Sequence, residues 1–404
     1  MPPQMNLSPG PENRAGRRFL VLLGLLWFVG AATRIPVLCV PPLLPRIHDD
    51  LHLAEAQVGL LVALPLILFA LASVPGSLMV ARIGVLATAV GGLVITALAA
   101  AARGATIDTA TLYGATIVMG FGIAVVQPAL PQLVQRWMPD RIALGTAVYT
   151  NGILIGTTST AALTIPLVLP AVGESWRYAL VLWSVPVALA ALVLLLLAPR
   201  DPAARPARAA SAAAWWPDWK SPVIWQLGLT FAANNSIFFG ANAFVPDYLS
   251  FHGRGDLISA ALGWINGGQL LASFLMMPLG RYLHRRAWPF LVFGTVALVS
   301  LVALMAARDA AVVALCACLG FSTSISYIML LALPPVLSAP EDVHRTAAGM
   351  FTISFTCAVV IPTVSGAIWD LTGAPWTAFV PLAACALVLI AGGARLAYVK
   401  PHQP

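Results

Sequence analysis

The sequence predicts an all-α membrane protein with twelve transmembrane helices in two pseudo-symmetric six-helix bundles. Hydrophobic residues make up 60% of the 404 residues and charged residues only 9%, with a mean hydropathy of +0.89. A soluble domain carries roughly a quarter charged residues, so this composition is typical of a chain in lipid. Twelve apolar runs approach or exceed the roughly 20 residues that a spanning helix needs.

The apolar runs form two sets of six. Between them lies a segment that is rich in proline, alanine and charge, and its tryptophans are expected to anchor at the level of the lipid headgroups. The predicted organisation is a cytoplasmic tail, a bundle, a cytoplasmic linker, a second bundle and a second tail, at residues 1–18, 19–198, 199–222, 223–396 and 397–404.

The basic residues predict the orientation. With a cytoplasmic N-terminus, sixteen lysines and arginines fall on the inner side, and the outer loops hold Arg46, Arg103, Arg177, Arg254 and Arg308. This distribution follows the positive-inside rule and places both termini in the cytoplasm. The net charge of +7 is therefore a topology signal. The expected partners are the lipid bilayer and a small-molecule solute, with no nucleic acid, and the chain is expected to be a monomer.

The two halves share sequence features. "GFGIAVVQPALP" (120–131) and "GFSTSISYIMLLALP" (320–334) agree in how they open and end, and "PLLPRI" (42–47) closes the first run as "FVPDYL" (244–249) closes the seventh. Duplicated halves favour a transporter whose site lies near the middle of the membrane, between the repeats.

One arginine interrupts an apolar run. Arg34 lies in "VGAATRIPVLCV" (29–40), whereas all fifteen acidic residues and all six histidines fall in predicted loops, tails or helix ends. Arginine keeps its charge in proteins, and at a helix centre it costs about 2.5–3.5 kcal/mol on insertion scales. Its planar fork suits carboxylate, cyanate or nitro oxygens. The alternative is that Arg34 binds carbonyl groups freed near Pro36.

Uncharged polar and aromatic residues are candidates to complete a substrate site. Gln127 and Tyr327 occupy corresponding places in the repeat, and Asn235 lies as far before Pro246 as Arg34 lies before Pro45. Amides and hydroxyls also join membrane helices to one another, which is the alternative for each of them. The predicted substrate-binding set is Arg34, Gln127, Asn235, Tyr327, Asn234, Phe238 and Asn151.

Two short segments resemble the signature of the major facilitator superfamily, Gly-x-Leu-Ala-Asp-Arg-x-Gly. "SLMVARIG" (77–84) keeps Arg82 and Gly84 but has Ala81 at the aspartate position. "GRYLHRRA" (280–287) has His284 at that position and retains Arg285. The resemblance implies that Arg82, Gly84 and Arg285 belong to cytoplasmic gating loops, although the aspartate that helps to lock that side is missing.

Four longer stretches resemble the cyanate and 2-nitroimidazole transporter subfamily, in the same order and spacing. They are "TRIPVLCVPPLLPRI" (33–47), "LLVALPLI" (60–67), "MGFGIAVVQPALPQLVQRWMP" (119–139) and "SWRYALVLWSVPVALAAL" (175–192). The resemblance implies a bacterial inner membrane, transport of small anionic or nitrogen-rich solutes by alternating access, and a cavity lined by helices 1, 4, 7 and 10. It therefore favours Gln127, Asn235 and Tyr327.

Two other functions compete with this interpretation. A multidrug efflux transporter would be favoured by an acidic residue in the cavity, and the sequence places none there. A polytopic membrane enzyme would need clustered ionisable groups, and the only such cluster is "RIHDDLHLAEA" (46–56), with His48 and His52 one helical turn apart. No cofactor or metal is expected. The lack of mid-membrane acids and histidines predicts uniport, anion exchange or a proton carried by the substrate.

Overall fold

The computed structural model describes residues 11–53, 55–199, 215–283, 286–307 and 310–399. These residues form twelve long helices with short connections. The first six are α1 (Pro11–Ala32), α2 (Glu55–Ile83), α3 (Val85–Ala102), α4 (Thr109–Trp137), α5 (Ile142–Leu163) and α6 (Trp176–Leu197). The second six are α7 (Pro222–Phe251), α8 (Ile258–Leu283), α9 (Ala287–Leu304), α10 (Ala310–Leu331), α11 (Val343–Thr372) and α12 (Phe379–Tyr398).

Eleven of these helices are long and apolar enough to cross a membrane. The other, α7, is 30 residues long and carries Asn234, Asn235 and Asn242 within its length. The prediction of an all-α, multi-pass membrane protein is confirmed. We call the side at which α6 ends and α7 begins the linker face, and the opposite side the distal face.

The two halves repeat the same packing. In the first half α4 packs on α2 and α3, α6 packs on α3, and α1 packs on α5 and α6. The corresponding helices of the second half pair in the same way: α10 with α8 and α9, α12 with α9, and α7 with α11 and α12. The contacts between halves are also paired, since α2 packs on α11 as α8 packs on α5. The repeat seen in the sequence is thus a structural repeat.

The first transmembrane segment is broken at its centre. The helix α1 ends at Ala32, Thr33 and Arg34 form a turn, and a short helix follows at Ile35–Leu38. Pro36 lacks an N–H and cannot bond to the carbonyl of Ala32, so one backbone hydrogen bond of a continuous helix is missing where this segment breaks. The Thr33 hydroxyl instead donates to the Gly30 carbonyl at 2.7 Å. The break places Arg34 at the amino end of the short helix.

The halves meet at the middle of the membrane and toward the linker face. Near the middle, Asn151 on α5 donates to the Ser273 hydroxyl on α8 at 2.9 Å. Closer to the linker face, the Ser77 hydroxyl on α2 lies 2.9 Å from Nδ1 of His344 on α11 and donates to the Trp215 carbonyl at 2.7 Å. The same side is closed further by Gln132 on α4, whose amide donates to the Pro340 carbonyl at 3.2 Å.

One basic residue of a predicted outer loop is buried. Arg103 lies in the connection between α3 and α4, where the sequence predicts an outer loop, and its side chain is only 1% exposed. The sequence does not predict this burial, because hydropathy ends the third apolar run at Arg103 and says nothing about the neighbouring helices that cover it. The chain therefore buries an arginine in addition to placing Arg34 within a membrane-spanning segment.

Candidate functional site

A cavity lies between the two halves, near the middle of the membrane. Its walls come from the broken first segment and from α4, α5, α10 and α11. In this conformation the walls leave room for only about one water molecule. The cavity is lined by Thr33, Arg34, Gln127, Leu130, Tyr149, Ile153, Tyr327, Leu331 and Phe351.

Arg34 supplies the positive charge of this cavity. Side chains on a helix lean toward its amino end, so an arginine just past the break can reach back toward the linker face. Its guanidinium lies over the Phe69 ring, 5.1 Å from the centroid, which is a cation–π contact. The ion pairs within the described residues involve Arg46, Arg177 and Arg345 instead, so no described carboxylate neutralises Arg34.

Three further polar groups face the same space. The Tyr327 hydroxyl lies beside the Arg34 guanidinium. The Gln127 amide nitrogen and the Tyr149 hydroxyl are both buried, and neither has a hydrogen-bond partner. Buried polar groups are normally hydrogen-bonded, and an unsatisfied one costs about 1–3 kcal/mol. Unpaired donors beside an unneutralised cation therefore indicate a place for a bound group that accepts hydrogen bonds.

The remaining walls are apolar. Leu130, Ile153, Leu331 and Phe351 line the cavity, and none of the nine lining residues that the structure describes is acidic. Phe351 stacks on Phe355, which in turn packs edge-on against Phe69, so aromatic rings continue from this wall to the ring beneath Arg34. The cavity thus has a donor-rich side and an apolar side.

The structure brings three of the seven predicted substrate-binding residues into this cavity: Arg34, Gln127 and Tyr327. Gln127 on α4 and Tyr327 on α10 occupy equivalent positions in the two halves. The other four, Asn151, Asn234, Asn235 and Phe238, are not among the residues that line it. Asn235 donates to the Ser354 hydroxyl at 2.7 Å and joins α7 to α11 within the second half.

Asn151 connects three helices. Its amide oxygen accepts from the Trp27 indole at 2.9 Å, and its amide nitrogen donates to Ser273 across the interface between the halves. Asn234 is buried with an unpartnered amide oxygen, and Phe238 packs against Phe239 with ring centroids 5.4 Å apart. In this structure, Asn151 and Asn235 join helices and do not line the cavity.

Tyr149 lines the cavity but is not among the residues predicted from the sequence. A signal was present, because Gly145, Gly152 and Gly156 surround it on α5. A Cβ on Gly152 would lie 2.0 Å from the Trp27 carbonyl oxygen of α1, which shows how closely the two helices approach. A tyrosine on the face of α5 that meets the arginine-bearing segment was therefore a candidate from its spacing alone.

Two of the three predicted gating residues, Arg82 and Gly84, are described by the structure, and both lie at the linker face. Arg82 is exposed at the end of α2, and Gly84 alone connects α2 to α3 with φ of +89°, a conformation that favours glycine. Arg285 and His284 lie outside the described residues. The superfamily signature has an aspartate at position 81. One turn before it, Ser77 forms hydrogen bonds to His344 of the second half and to Trp215 of the linker.

Comparison with protein families decides the class of the chain. Residues 22–361 match the family model of the Major Facilitator Superfamily. The chain belongs to this superfamily. Solved structures of its members agree with the fold: FucP in the outward conformation has a TM-score of 0.74 at 14% identity over 94% of this chain and 99% of its own. The proton:xylose symporter XylE has a TM-score of 0.75 at 11% identity over 96% and 97%.

Three curated relatives in the superfamily are transporters by name. The uncharacterized transporter YycB of Bacillus subtilis is 27% identical over 95% of this chain and 94% of its own length. The 2-nitroimidazole transporter of Escherichia coli is 27% identical over 67% of each chain. The cyanate transport protein CynX of Escherichia coli is 24% identical over 66% of this chain and 68% of its own. The suggested resemblance to this group is confirmed.

Proposed function

We propose that this transporter carries a small anionic or nitrogen-rich solute across the membrane by alternating access, and that Arg34 binds the solute directly. The observation that carries the proposal is the unneutralised Arg34 guanidinium in a cavity between the halves, beside the Tyr327 hydroxyl and the unpartnered donors of Gln127 and Tyr149. An anion or a nitro group would accept hydrogen bonds from all four residues. It would also offset the energy of keeping a guanidinium in the membrane.

The two-sided character of the cavity indicates the shape of the solute. A compact acceptor group fits against the donors of Arg34 and Tyr149. When the halves move apart in alternating access, a short apolar or aromatic body would contact Ile153, Leu331 and Phe351. The relatives named for cyanate and for 2-nitroimidazole handle solutes with such acceptor groups, which supports the proposal. A cationic drug would bring its charge against Arg34, so the cavity does not favour cation efflux.

The experiment that tests this function replaces the charge of Arg34 and keeps its bulk. We expect purified parent protein to be stabilised in thermal unfolding by cyanate or 2-nitroimidazole, and Arg34→Met to lose this response. Losing a charge-assisted hydrogen bond should weaken binding about tenfold to a hundredfold. Without solute, Arg34→Met should unfold at a higher temperature than the parent, because an unpaired membrane charge has been removed.

Two controls sharpen that test. Arg34→Lys keeps the charge but not the planar fork, so it should retain part of the response. Urea, which is small and nitrogen-rich but neutral and lacks a nitro group, should stabilise neither protein. Equal stabilisation of the parent and of Arg34→Met by cyanate and by 2-nitroimidazole would show that Arg34 is not the binding residue.

We also propose that the linker face is cytoplasmic and that the membrane is a bacterial inner membrane. The excess of basic residues on that side supports the orientation. Reporter fusions to the C-terminus test it: a green fluorescent protein should fluoresce there, and alkaline phosphatase should stay inactive. The opposite pair of results would reverse the orientation.

A further inference from the structure

The direction in which Arg34 points depends on the backbone of the break in the first segment. Pro36 lies two residues after Arg34, and its missing N–H leaves the turn with fewer internal hydrogen bonds than a continuous helix. The Arg34 N–H donates to the Ala31 carbonyl at 3.1 Å, and the Arg34 carbonyl accepts from the Val37 N–H at 3.1 Å. Such a short, irregular stretch needs contacts from other helices to keep one conformation.

Arg103 supplies such a contact from α3. Its Nη1 donates to the Pro36 carbonyl at 2.8 Å and also contacts the Met119 sulfur, while Nη2 lies 3.8 Å from the Cys39 sulfur. Its Nε has no partner, and no described carboxylate forms an ion pair with it. A buried arginine without a counter-charge is unfavourable in a membrane protein, so a structural or functional gain is expected to offset it.

Arg103 is itself held firmly. The Thr106 hydroxyl donates to the Arg103 carbonyl at 2.8 Å. The next residue, Gly104, packs so closely on α6 that a Cβ there would lie 2.4 Å from the Arg177 carbonyl oxygen. Because Met119 belongs to α4, the Arg103 side chain links the broken first segment to α3 and α4, and both α4 and α6 pack on α3.

We propose that Arg103 is a positioning residue of the substrate site, which fixes the segment after the break and thereby aims Arg34 into the cavity. This inference rests on the proposed function for its effect on binding, but not for its effect on the backbone. Arg103 does not line the cavity and need not touch the solute. Its charge makes its hydrogen bond to Pro36 stronger than a neutral donor would.

Hydrogen–deuterium exchange tests the backbone effect without any solute. In Arg103→Met, the amides of Val37, Leu38 and Cys39 should exchange at least about tenfold faster than in the parent, because the charged donor to Pro36 is lost. Exchange in α6 and α12 should stay unchanged. Arg103→Lys should fall between the two. Arg254→Met is the matched control, since Arg254 also donates to a backbone carbonyl, that of Ala307, but in the other half.

Cyanate binding provides the second readout. Arg103→Met should weaken cyanate binding about tenfold or more, Arg103→Lys should recover part of it, and Arg254→Met should leave it unchanged. Exchange at Val37 to Cys39 equal to that of the parent would overturn the proposal. So would faster exchange spread evenly over all helices, which would indicate a general structural role.

Two remaining outcomes are also decisive. If the parent binds neither cyanate nor 2-nitroimidazole, the proposed function fails, and the exchange data alone judge the positioning role. If Arg103→Met does not fold, Arg103→Lys carries the test. Locally faster exchange after the break in Arg103→Lys supports the proposal, and exchange equal to that of the parent overturns it.

Discussion

At the scale of single residues, two asparagines that join helices differ from two cavity residues in their hydrogen-bond partners. Asn151 and Asn235 are paired with groups on neighbouring helices. The Tyr149 hydroxyl and the Gln127 amide nitrogen are as deeply buried and have no partner. The hydrogen bonds of Asn151 and Asn235 stabilise the folded protein without solute. The Tyr149 and Gln127 donors would gain a partner when a solute binds in the cavity. The two classes should therefore respond differently to mutation.

Removing the Tyr149 hydroxyl tests this distinction. Tyr149→Phe should leave the unfolding temperature without solute unchanged or slightly raised, because the hydroxyl makes no hydrogen bond to lose. Binding of cyanate should weaken by about 0.5–1.5 kcal/mol through the loss of one donor. Thermal unfolding with and without cyanate measures both effects.

Tyr248→Phe is the matched control. The Tyr248 hydroxyl lies near the distal end of α7, outside the cavity, and donates to the Met305 carbonyl at 2.7 Å. Its removal should lower stability by about 1 kcal/mol and leave cyanate binding unchanged. Similar losses of stability in both variants would contradict the assignment of Tyr149 to the site.

At the scale of helices, close packing of α1 on α5 determines where the cavity residues lie. Gly30 on α1 and Gly152 on α5 face the partner helix, and a Cβ on either would come within 2.1 Å of a carbonyl oxygen. Small residues at such seams let backbones approach and are typical of membrane helix pairs. The close approach also brings Tyr149 of α5 against the segment that carries Arg34.

Forcing α1 and α5 apart should destabilise the protein. Gly152→Ala should lower the free energy of unfolding by about 1–3 kcal/mol or more, because a backbone oxygen cannot move aside as a flexible side chain can. Gly24→Ala on α1 is the control, since a Cβ there meets no heavy atom within 4 Å. That variant should be neutral or slightly stabilising, because alanine favours helix over glycine. Thermal unfolding in detergent distinguishes the two variants. Equal stability would show that close packing of α1 on α5 at Gly152 does not stabilise the protein.

At the scale of the whole molecule, the described contacts close the linker face with neutral hydrogen bonds. Ser77 bridges His344 and Trp215 there, and nearer the middle Asn151 joins α5 to α8. The superfamily signature places an aspartate at position 81, where this chain has alanine. Neutral hydrogen bonds are worth about 0.5–1.5 kcal/mol each, so loss of one should change the balance between the two transport conformations measurably.

Breaking the Asn151 contact should open the linker face. In Asn151→Ala, both Trp27 and Ser273 lose a partner, and a reporter Gln135→Cys on α4 should react with an impermeant maleimide about fivefold faster from the linker face. Asn235→Ala removes a buried bond of similar length inside one half and should leave the rate unchanged. Equal rates in the two variants would show that Asn151 does not hold the halves together.

Much of this protein could be read from its sequence. Hydropathy and the placement of basic residues predict the helices, and the repeat places Gln127 and Tyr327 at equivalent positions that the structure brings to one cavity. Arg34 stands out because a charge in an apolar run is visible without coordinates. These features are local in the chain, or repeated along it, so they do not depend on how the helices rotate against one another.

Only the tertiary structure decided the rest. The sequence cannot show that Arg103 turns into the protein, that Tyr149 lacks a partner, or that Asn151 and Asn235 have theirs. All of these depend on the rotation and crossing of neighbouring helices, which bring together residues more than sixty positions apart. An asparagine in an apolar run looks the same whether it binds a solute or another helix, and only its surroundings in the folded chain distinguish the two.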